Sequence, residues 1–407
     1  MRLPYLLSCV VVAIAAGACL GESRTVVDGD YIFVNVNVVP MDQERIIENQ
    51  IVAINGSRIT SIGDSGQFIP AESASVIESA GQFLVPGFTE MHGHLPSGRM
   101  SDEDIRNLLF LYIANGVTTV RGMQGEPSQL ALRNSIQRGL LLGPNLYLAS
   151  ESMSGERVPT PEEAVRLVRE YKVDGYDLIK THEGISLETF DAIARTAVEM
   201  DMPFGGHVSD LVGLQHALES GQSSVDHLDN YVEALAGDLA RSHVGDATPD
   251  IKSLISEIDE RRIPELVQVT VDSGSWVVPT MVLWESAFFP LRSSEELLGE
   301  HPELRYIAPE VVDQWRRAID TRFELSDVQV NQRITALRRK ILRALHSGGA
   351  NIALGTDSPQ IFSVPGFSIH HEMSLYAEIG MTPYQILELG TRRPSEYFGA
   401  TDDFGTV

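Results

Sequence analysis

His92 and His94 stand two residues apart in the segment Phe88-Thr-Glu-Met-His-Gly-His94. Side chains alternate between the faces of an extended strand, so both imidazoles point the same way and can share one ion. Four more ionisable residues close short apolar runs. These are Lys180 after Asp177-Leu-Ile, His207 after Pro203-Phe-Gly-Gly, His227 after Ser223-Ser-Val-Asp, and Asp357 after Ile352-Ala-Leu-Gly-Thr. Imidazole nitrogens and a carboxylate form the donor set of Zn²⁺ or a neighbouring first-row ion. The lysine is the odd member, because an ammonium would be repelled by a cation. Deprotonated and combined with CO₂ as a carbamate, it becomes a two-oxygen anion able to bridge two metals, a form that nearby cations make reachable. Singly, each residue has an ordinary reading: a hydrogen-bonded structural histidine, or a lysine in an ion pair. Their joint placement at successive run ends points to a metal centre. Thiolates cannot contribute, since the two cysteines, Cys9 and Cys19, both fall within the first twenty residues.

The elements that must position these groups follow from hydrophobic patterning. Residues 25–85 read as a small β module: Tyr31 to Val39 alternates, Ile51–Ile54 and Arg58–Ile62 flank an Asn55-Gly56 turn, and Ser75–Ile77 follows. Beyond Pro86-Gly87, short apolar runs alternate with amphipathic helical segments, the pattern of repeated βα units on a parallel sheet. Eight runs are expected as strands: Phe88–His92, Val117–Arg121, Leu146–Ala149, Leu178–Lys180, Phe204–His207, Ser224–His227, Trp276–Met281 and Ile352–Thr356. The fold class is α/β, and eight such strands suggest a (β/α)8 TIM barrel over 86–395, with its chemistry where strands end and βα loops begin. Two helix-rich connections, 231–275 and 284–349, exceed what the fold requires and read as lids. The run Arg338-Arg339-Lys340 in the second is expected to be a solvated helix face; the alternative is a site for an anionic substrate group.

Residues 1–19 combine Arg2, an apolar run from Leu3 to Ala15, and Ala16-Gly-Ala-Cys19. This reads as a secretory signal. Its end resembles a bacterial lipobox, so Cys19 is the expected site of lipid attachment and the only link to a membrane. Simple cleavage and release is the alternative. The destination is then the cell envelope, the periplasm or the medium. With 31 Lys and Arg against 56 Asp and Glu, the net charge of −25 argues against nucleic acid as a partner. Self-association into a homo-oligomer is left open.

The segments Val85-Pro-Gly-Phe-Thr-Glu-Met-His-Gly-His-Leu95, Gly116-Val-Thr-Thr-Val-Arg121, Leu178-Ile-Lys180, Gly206-His207, Asp226-His-Leu-Asp229 and Leu354-Gly-Thr-Asp-Ser358 together resemble the amidohydrolase superfamily. The likeness is greatest to its imidazolonepropionase-like and prolidase-like branch with a carboxylated-lysine metal pair. The resemblance implies that His92, His94 and Asp357 hold the more buried of two divalent ions, most plausibly zinc. It implies that His207 and His227 hold the other, and that carboxylated Lys180 and a hydroxide bridge them. Asp357 is implied to be the general base and then the general acid. The β module resembles half of a small β-sandwich that family members complete after the barrel. Residues 396–407 are accordingly expected to begin a return to it, with the closing strands missing from the chain. Glu90 and Gly122 stand where members often carry Asp.

Substrate clues are fewer. Tyr231, four residues after His227, and His182, two after Lys180, are candidate substrate contacts. Trp276, Trp284, Phe288 and Phe289 suggest an apolar subsite, and His370-His371 lies near the start of a helical segment. The expectation is an exported metal-dependent hydrolase of a small-molecule amide, such as an Xaa-Pro dipeptide or an N-acyl amino acid. The enzymatic alternatives are a mononuclear deaminase and a hydrolase of imidazolones, lactones or other cyclic amides. An alternative of another class is a surface lipoprotein that binds a ligand without turnover.

Overall fold

The computed structural model describes residues 24–237 and 251–407. The leader and Cys19 lie outside the described residues. Two compact units are formed, one by residues up to 40 together with 45–84, the other by 41–44 and 85–407.

In the first unit, strand β2 (Tyr31–Val38) is central. It runs antiparallel to β3 (Ile47–Asn55), with Ile32 opposite Ala53, and parallel to β6 (Ser75–Glu78) and β7 (Phe83–Leu84). β4 (Arg58–Asp64) completes a hairpin with β3 through Asn55-Gly56, and Gly56 takes the positive φ of 59° that such a turn needs. β1 (Thr25–Val27) pairs in parallel with β5 (Phe68–Pro70). Val27, Ile32, Ile51 and Ala53 are buried together, the apolar face that the alternation foretold.

The second unit is α/β with parallel sheets. β8 (Phe88–Gly93), β9 (Val117–Gly122) and β10 (Asn145–Leu148) form one sheet. The other runs in order β11 (Ile179–Thr181), β12 (Phe204–Gly206), β13 (Ser224–Asp226), β14 (Trp276–Val278) and β15 (Asn351–Ile352). Parallel bridges Ala149–Leu178 and Gly93–Ser358 join the edges of the two sheets. At the second junction the Met91 amide donates to the Leu354 carbonyl at 2.9 Å and the Asp357 amide to the His92 carbonyl at 2.7 Å. A helix follows each strand, and several begin where a side chain caps the first turn. The hydroxyls of Ser101, Thr160 and Ser186 accept from the amides of Asp104, Glu163 and Thr189. Each such cap contributes about 1 kcal/mol. The main core gathers inward strand residues such as Val120, Leu148, Ile179, Phe204, Val225, Val277 and Leu354 with one face of these helices.

Within the stretch 231–275, residues 251–273 are largely helical. The part at 238–250 lies outside the described residues. The stretch 284–349 holds Ser294–Glu300, Pro309–Leu325 and Val328–Ser347. It has a core of its own, in which Leu297, Leu304 and Ile319 pack with Leu283, Phe362 and Val364. Residues 396–407 do not return to a β module: they contain no strand and belong to the second unit. Their aromatic residues explain the difference, since Phe398 stacks on Tyr147 at 3.6 Å and contacts Phe404, which holds the segment against the second unit. Among the described residues no helix is long and apolar enough to cross a membrane.

Candidate metal centre

His92 and His94 leave β8 on the same side and meet Asp357, which follows β15. His94 Nε2 lies 2.8 Å and His92 Nε2 3.5 Å from Asp357 Oδ1. Lys180, in β11, places Nζ 3.5 Å from His92 Nε2. His207 follows β12 and His227 follows β13. The His227 ring is 4.5 Å from those of both His92 and His207. The six residues named for the centre are thus brought together. His92, Lys180, His227 and Asp357 are all at most 4% exposed.

What aims these rings is a set of acceptors behind them. His92 Nδ1 is 2.7 Å from Asp226 Oδ2, His207 Nδ1 is 2.7 Å from Asp229 Oδ2, and His227 Nδ1 is 2.8 Å from Thr280 Oγ1. With each Nδ1 proton so held, the Nε2 lone pair is turned to the shared centre, the arrangement that orients metal-binding imidazoles. Asp226 is in turn clamped by the buried Arg121 guanidinium at 3.0 and 3.1 Å. Burial pushes the Asp226 carboxyl up, but Arg121 and Lys180 outweigh it and hold it below the usual range.

Two atoms make the fit to a cation specific. His227 Nε2 is buried without a hydrogen-bond partner, and the buried Asp357 Oδ1 faces the Nε2 atoms of His94 and His92 at 2.8 and 3.5 Å. Such an orphaned atom costs about 1–3 kcal/mol, which a coordinated ion would offset. Burial, followed by neighbouring positive charge, drives His92 and His227 well below the usual imidazole range. They are therefore neutral and have lone pairs to give. Burial also lowers Lys180 against the opposing pull of Asp226 and Asp357, toward the free amine that carbamate formation requires.

The backbone is bent to present these groups. His227 and Asp357 have φ of 63° and 61°, a left-handed conformation that costs non-glycine residues about 1–3 kcal/mol. Hydrogen bonds secure both: the Arg338 guanidinium donates to the His227 carbonyl at 2.5 Å, and the His227 amide donates to the Val278 carbonyl at 2.8 Å. At Asp357 the fastening is Glu90. This fully buried carboxyl accepts from the amides of His92 (3.0 Å) and Thr356 (2.8 Å) and from the Thr356 hydroxyl (2.6 Å). Burial raises its pKa to about 7. Glu90 therefore ties β8 to the segment after β15. Gly122 is set by packing, since a Cβ there would come 2.5 Å from Leu95 Cδ1.

The centre opens into a polar cleft of about 400 Å³ lined by Gln124, Ser152, His182, Pro359 and Gln360 with the ligand candidates other than His227. His182 is in it, its ring 4.4 Å from that of His207, and burial with the neighbouring positive charges lowers its pKa to about 4. Tyr231 is not brought to the cleft: it is fully buried and its hydroxyl bonds Thr270 Oγ1 at 3.0 Å. The aromatic group divides. Trp284 lies beside His227 and packs on Phe288 and Phe289, whereas Trp276 packs on Tyr397 elsewhere. The basic run is solvated only in part, Lys340 being 57% exposed. Arg338 is 4% exposed and lies over the Trp284 ring at 4.3 Å, while Arg339 pairs with Glu285 and Glu378, and Lys340 with Glu260.

The residues that orient the centre escaped the reading of the sequence. Asp226 and Asp229 had a signal, since both flank His227 in Asp-His-Leu-Asp. Arg121, at an inward strand end, had a weaker one. Thr280 and Glu372 had none. Glu372 accepts from the amides of Met281 (2.9 Å) and Val282 (2.7 Å), fixing the turn that carries Thr280.

Residues 83–407 match the family model described as the Amidohydrolase family. The chain belongs to this family. Solved structures similar to the amidohydrolase chain include a bottromycin amidohydrolase (19% identity, TM-score 0.65, 91% of this chain and 78% of that one). Others are a Xaa-Pro dipeptidase with bound methionine in its active site (17%, 0.62, 92% and 90%) and molinate hydrolase (17%, 0.63, 95% and 87%). These likenesses concern the fold. Curated relatives include adenine deaminase 3 of Rhizobium meliloti, 25% identical over 57% of this chain and 42% of that one. An adenine deaminase of Clostridium botulinum is 36% identical over 18% of this chain. That match spans only 12% of the relative's length. The family is what these comparisons show for the chain. Its family generally uses a divalent metal, and clusters such as His92, His94 and Asp357 suit one.

Proposed function

We propose that the two parallel sheets are arcs of one (β/α)8 barrel and that its rim holds two divalent ions, zinc by donor type. His92, His94 and Asp357 would hold one, His207 and His227 the other, and Lys180, carboxylated by CO₂, would join them. The observation that carries this reading is the convergence of six such side chains around the orphaned His227 Nε2 and the buried Asp357 Oδ1.

The substrate we infer is a small amide whose leaving amine bears a carboxylate: an Xaa-Pro or similar dipeptide, or an N-acyl amino acid. When bound, the ions supply Lewis acidity at the scissile carbonyl and a water acidic enough to attack at neutral pH. Asp357, buried beside His92 and His94, would be the residue that accepts a proton from the attacking water and returns it to the leaving nitrogen. Neutral His182 lines the cleft and can hydrogen-bond the acyl side. Beyond His227 a cavity of about 150 Å³ is lined by Trp284, Phe289 and Arg338 and also by the acidic residues Glu183, Asp210, Asp229 and Glu233. Its aromatic walls suit an apolar side chain. Arg338, whose Nε lacks a partner, is the cation of this lining and would have to hold a substrate carboxylate against those acidic neighbours. We also propose export with acylation of Cys19, a reading that rests on the residues before it and is checked by labelling with a radioactive fatty acid, which Cys19→Ser should abolish.

The test is a screen of the zinc-loaded protein against Xaa-Pro dipeptides, N-acyl amino acids, lactones and adenine. Release of free amino acids is expected. Ammonia from adenine, or lactone opening without amide cleavage, would overturn the substrate reading in favour of the deaminase or cyclic-ester alternatives.

A further inference from the structure

A second cluster of metal-binding groups lies in the helical stretch after β14. His301 Nδ1 and His371 Nε2 both lie 2.8 Å from the same oxygen, Oε1 of Glu303. Their ring centroids are 4.7 Å apart. Glu303 is 4% and His301 6% exposed, while the His371 side chain is 37% exposed and faces solvent. His301 and Glu303 flank Pro302 in the insertion, and His371 comes from the helix Phe367–Glu378 after β15. We propose that this trio is a further metal site, separate from the centre at the strand ends. It would take a single Zn²⁺ or similar first-row ion as a brace.

Three observations carry the assignment. The donors are two imidazoles and one carboxylate, a set that binds Zn²⁺ with a fourth position left to water. The exposed flank of His371 gives that water access. Second, the geometry repeats that of the principal centre, where His94 and His92 converge on Asp357 Oδ1 at 2.8 and 3.5 Å. Two imidazole nitrogens and a carboxylate oxygen that face one point would share a cation there once the ring protons bridging to Oε1 are displaced. Third, a carboxylate this buried needs a compensating charge. The groups that reach Glu303 Oε1 are the two imidazoles, and a cation held between them would supply that charge.

The ion would join the insertion to the Phe367–Glu378 helix. The residue after His371 on that helix is Glu372, which fixes the turn carrying Thr280, the partner of His227. A brace here therefore supports the principal centre from behind while touching none of its ligands.

The experiment measures metal per chain by mass spectrometry after equilibration of the full protein with Zn²⁺ and removal of excess. His371→Ala and Glu303→Gln should each bind one ion fewer than the wild type. The double variant His92→Asn/His94→Asn should bind one ion more than the triple variant that adds His371→Ala, and Zn²⁺ should raise the thermal midpoint of the double variant more than that of the triple. Substituted Co²⁺ in the double variant should give the visible absorption of a four-coordinate nitrogen and oxygen site. Equal metal content in wild type, His371→Ala and Glu303→Gln, all folded by circular dichroism, would overturn the proposal and leave a hydrogen-bonded cluster. Because the result is a difference between variants, it is independent of how many ions the principal centre holds.

Discussion

In the proposed mechanism the chemistry turns on Asp357. Its replacement by Asn keeps the size and one oxygen but removes the proton acceptor. Turnover is expected to fall by about 10²–10⁴-fold, the usual worth of general acid–base catalysis, with metal content largely retained. Near-normal kcat on a proven substrate would exclude the role. Asp226 acts one step back. Asp226→Asn leaves His92 without its anionic acceptor and Arg121 buried without its partner. Metal affinity should drop about 10–100-fold. Stability should drop by about 3–5 kcal/mol, readable by chelator competition and urea denaturation. That these six side chains meet was legible from the sequence because each closes an apolar run. Their supporting residues were not, because nothing local marks Thr280 as the partner of the His227 ring or Glu372 as the acceptor that fixes the Thr280 turn.

At the scale of elements, the site depends on the close approach of β8 to the segment after β15. Gly355 permits it: a Cβ there would come 2.8 Å from the His92 amide nitrogen and also strike Val278. Gly355→Ala is expected to cost about 1–3 kcal/mol by overpacking and to lower turnover by shifting His92, as thermal denaturation and kinetics would show. The turn at Thr280 makes a pH-dependent contribution. Burial raises the Glu372 carboxyl to about 8. The fold therefore keeps a proton that the unfolded chain releases above the ordinary glutamate range. The unfolded state binds fewer protons in that window, so this residue makes stability fall as pH rises from about 4.5 toward 8, by at most about 1.4 kcal/mol per pH unit. Urea midpoints of the metal-free wild type and Glu372→Gln, compared at pH 5 and pH 8, should show the wild type losing more stability over that interval. The eight strand positions were readable from short apolar runs. The burial of Arg338 was not, because a basic triplet on a helix looks solvated until Trp284 and the His227 carbonyl are seen to receive it.

For the whole molecule, the order of motifs along the chain carried more information than any one of them. Histidine pair, lysine, histidine, histidine and aspartate occur at or just after the ends of parallel strands, and the family match over residues 83–407 covers all of them. The end of the chain was misjudged: an expected return to strand is overridden by Tyr397, Phe398 and Phe404 packing within the second unit. Substrate identity was the least legible property, because it depends on a cavity assembled from two insertions whose side chains meet only in three dimensions. The metal pair is the central claim, and the most direct measurement is the zinc content of His371→Ala protein grown with added zinc and bicarbonate. In that background the proposed bracing site is removed. Two ions per chain, falling to one or none in the added Lys180→Ala variant, is the expected result. A single ion, or a content indifferent to Lys180, would contradict the binuclear centre.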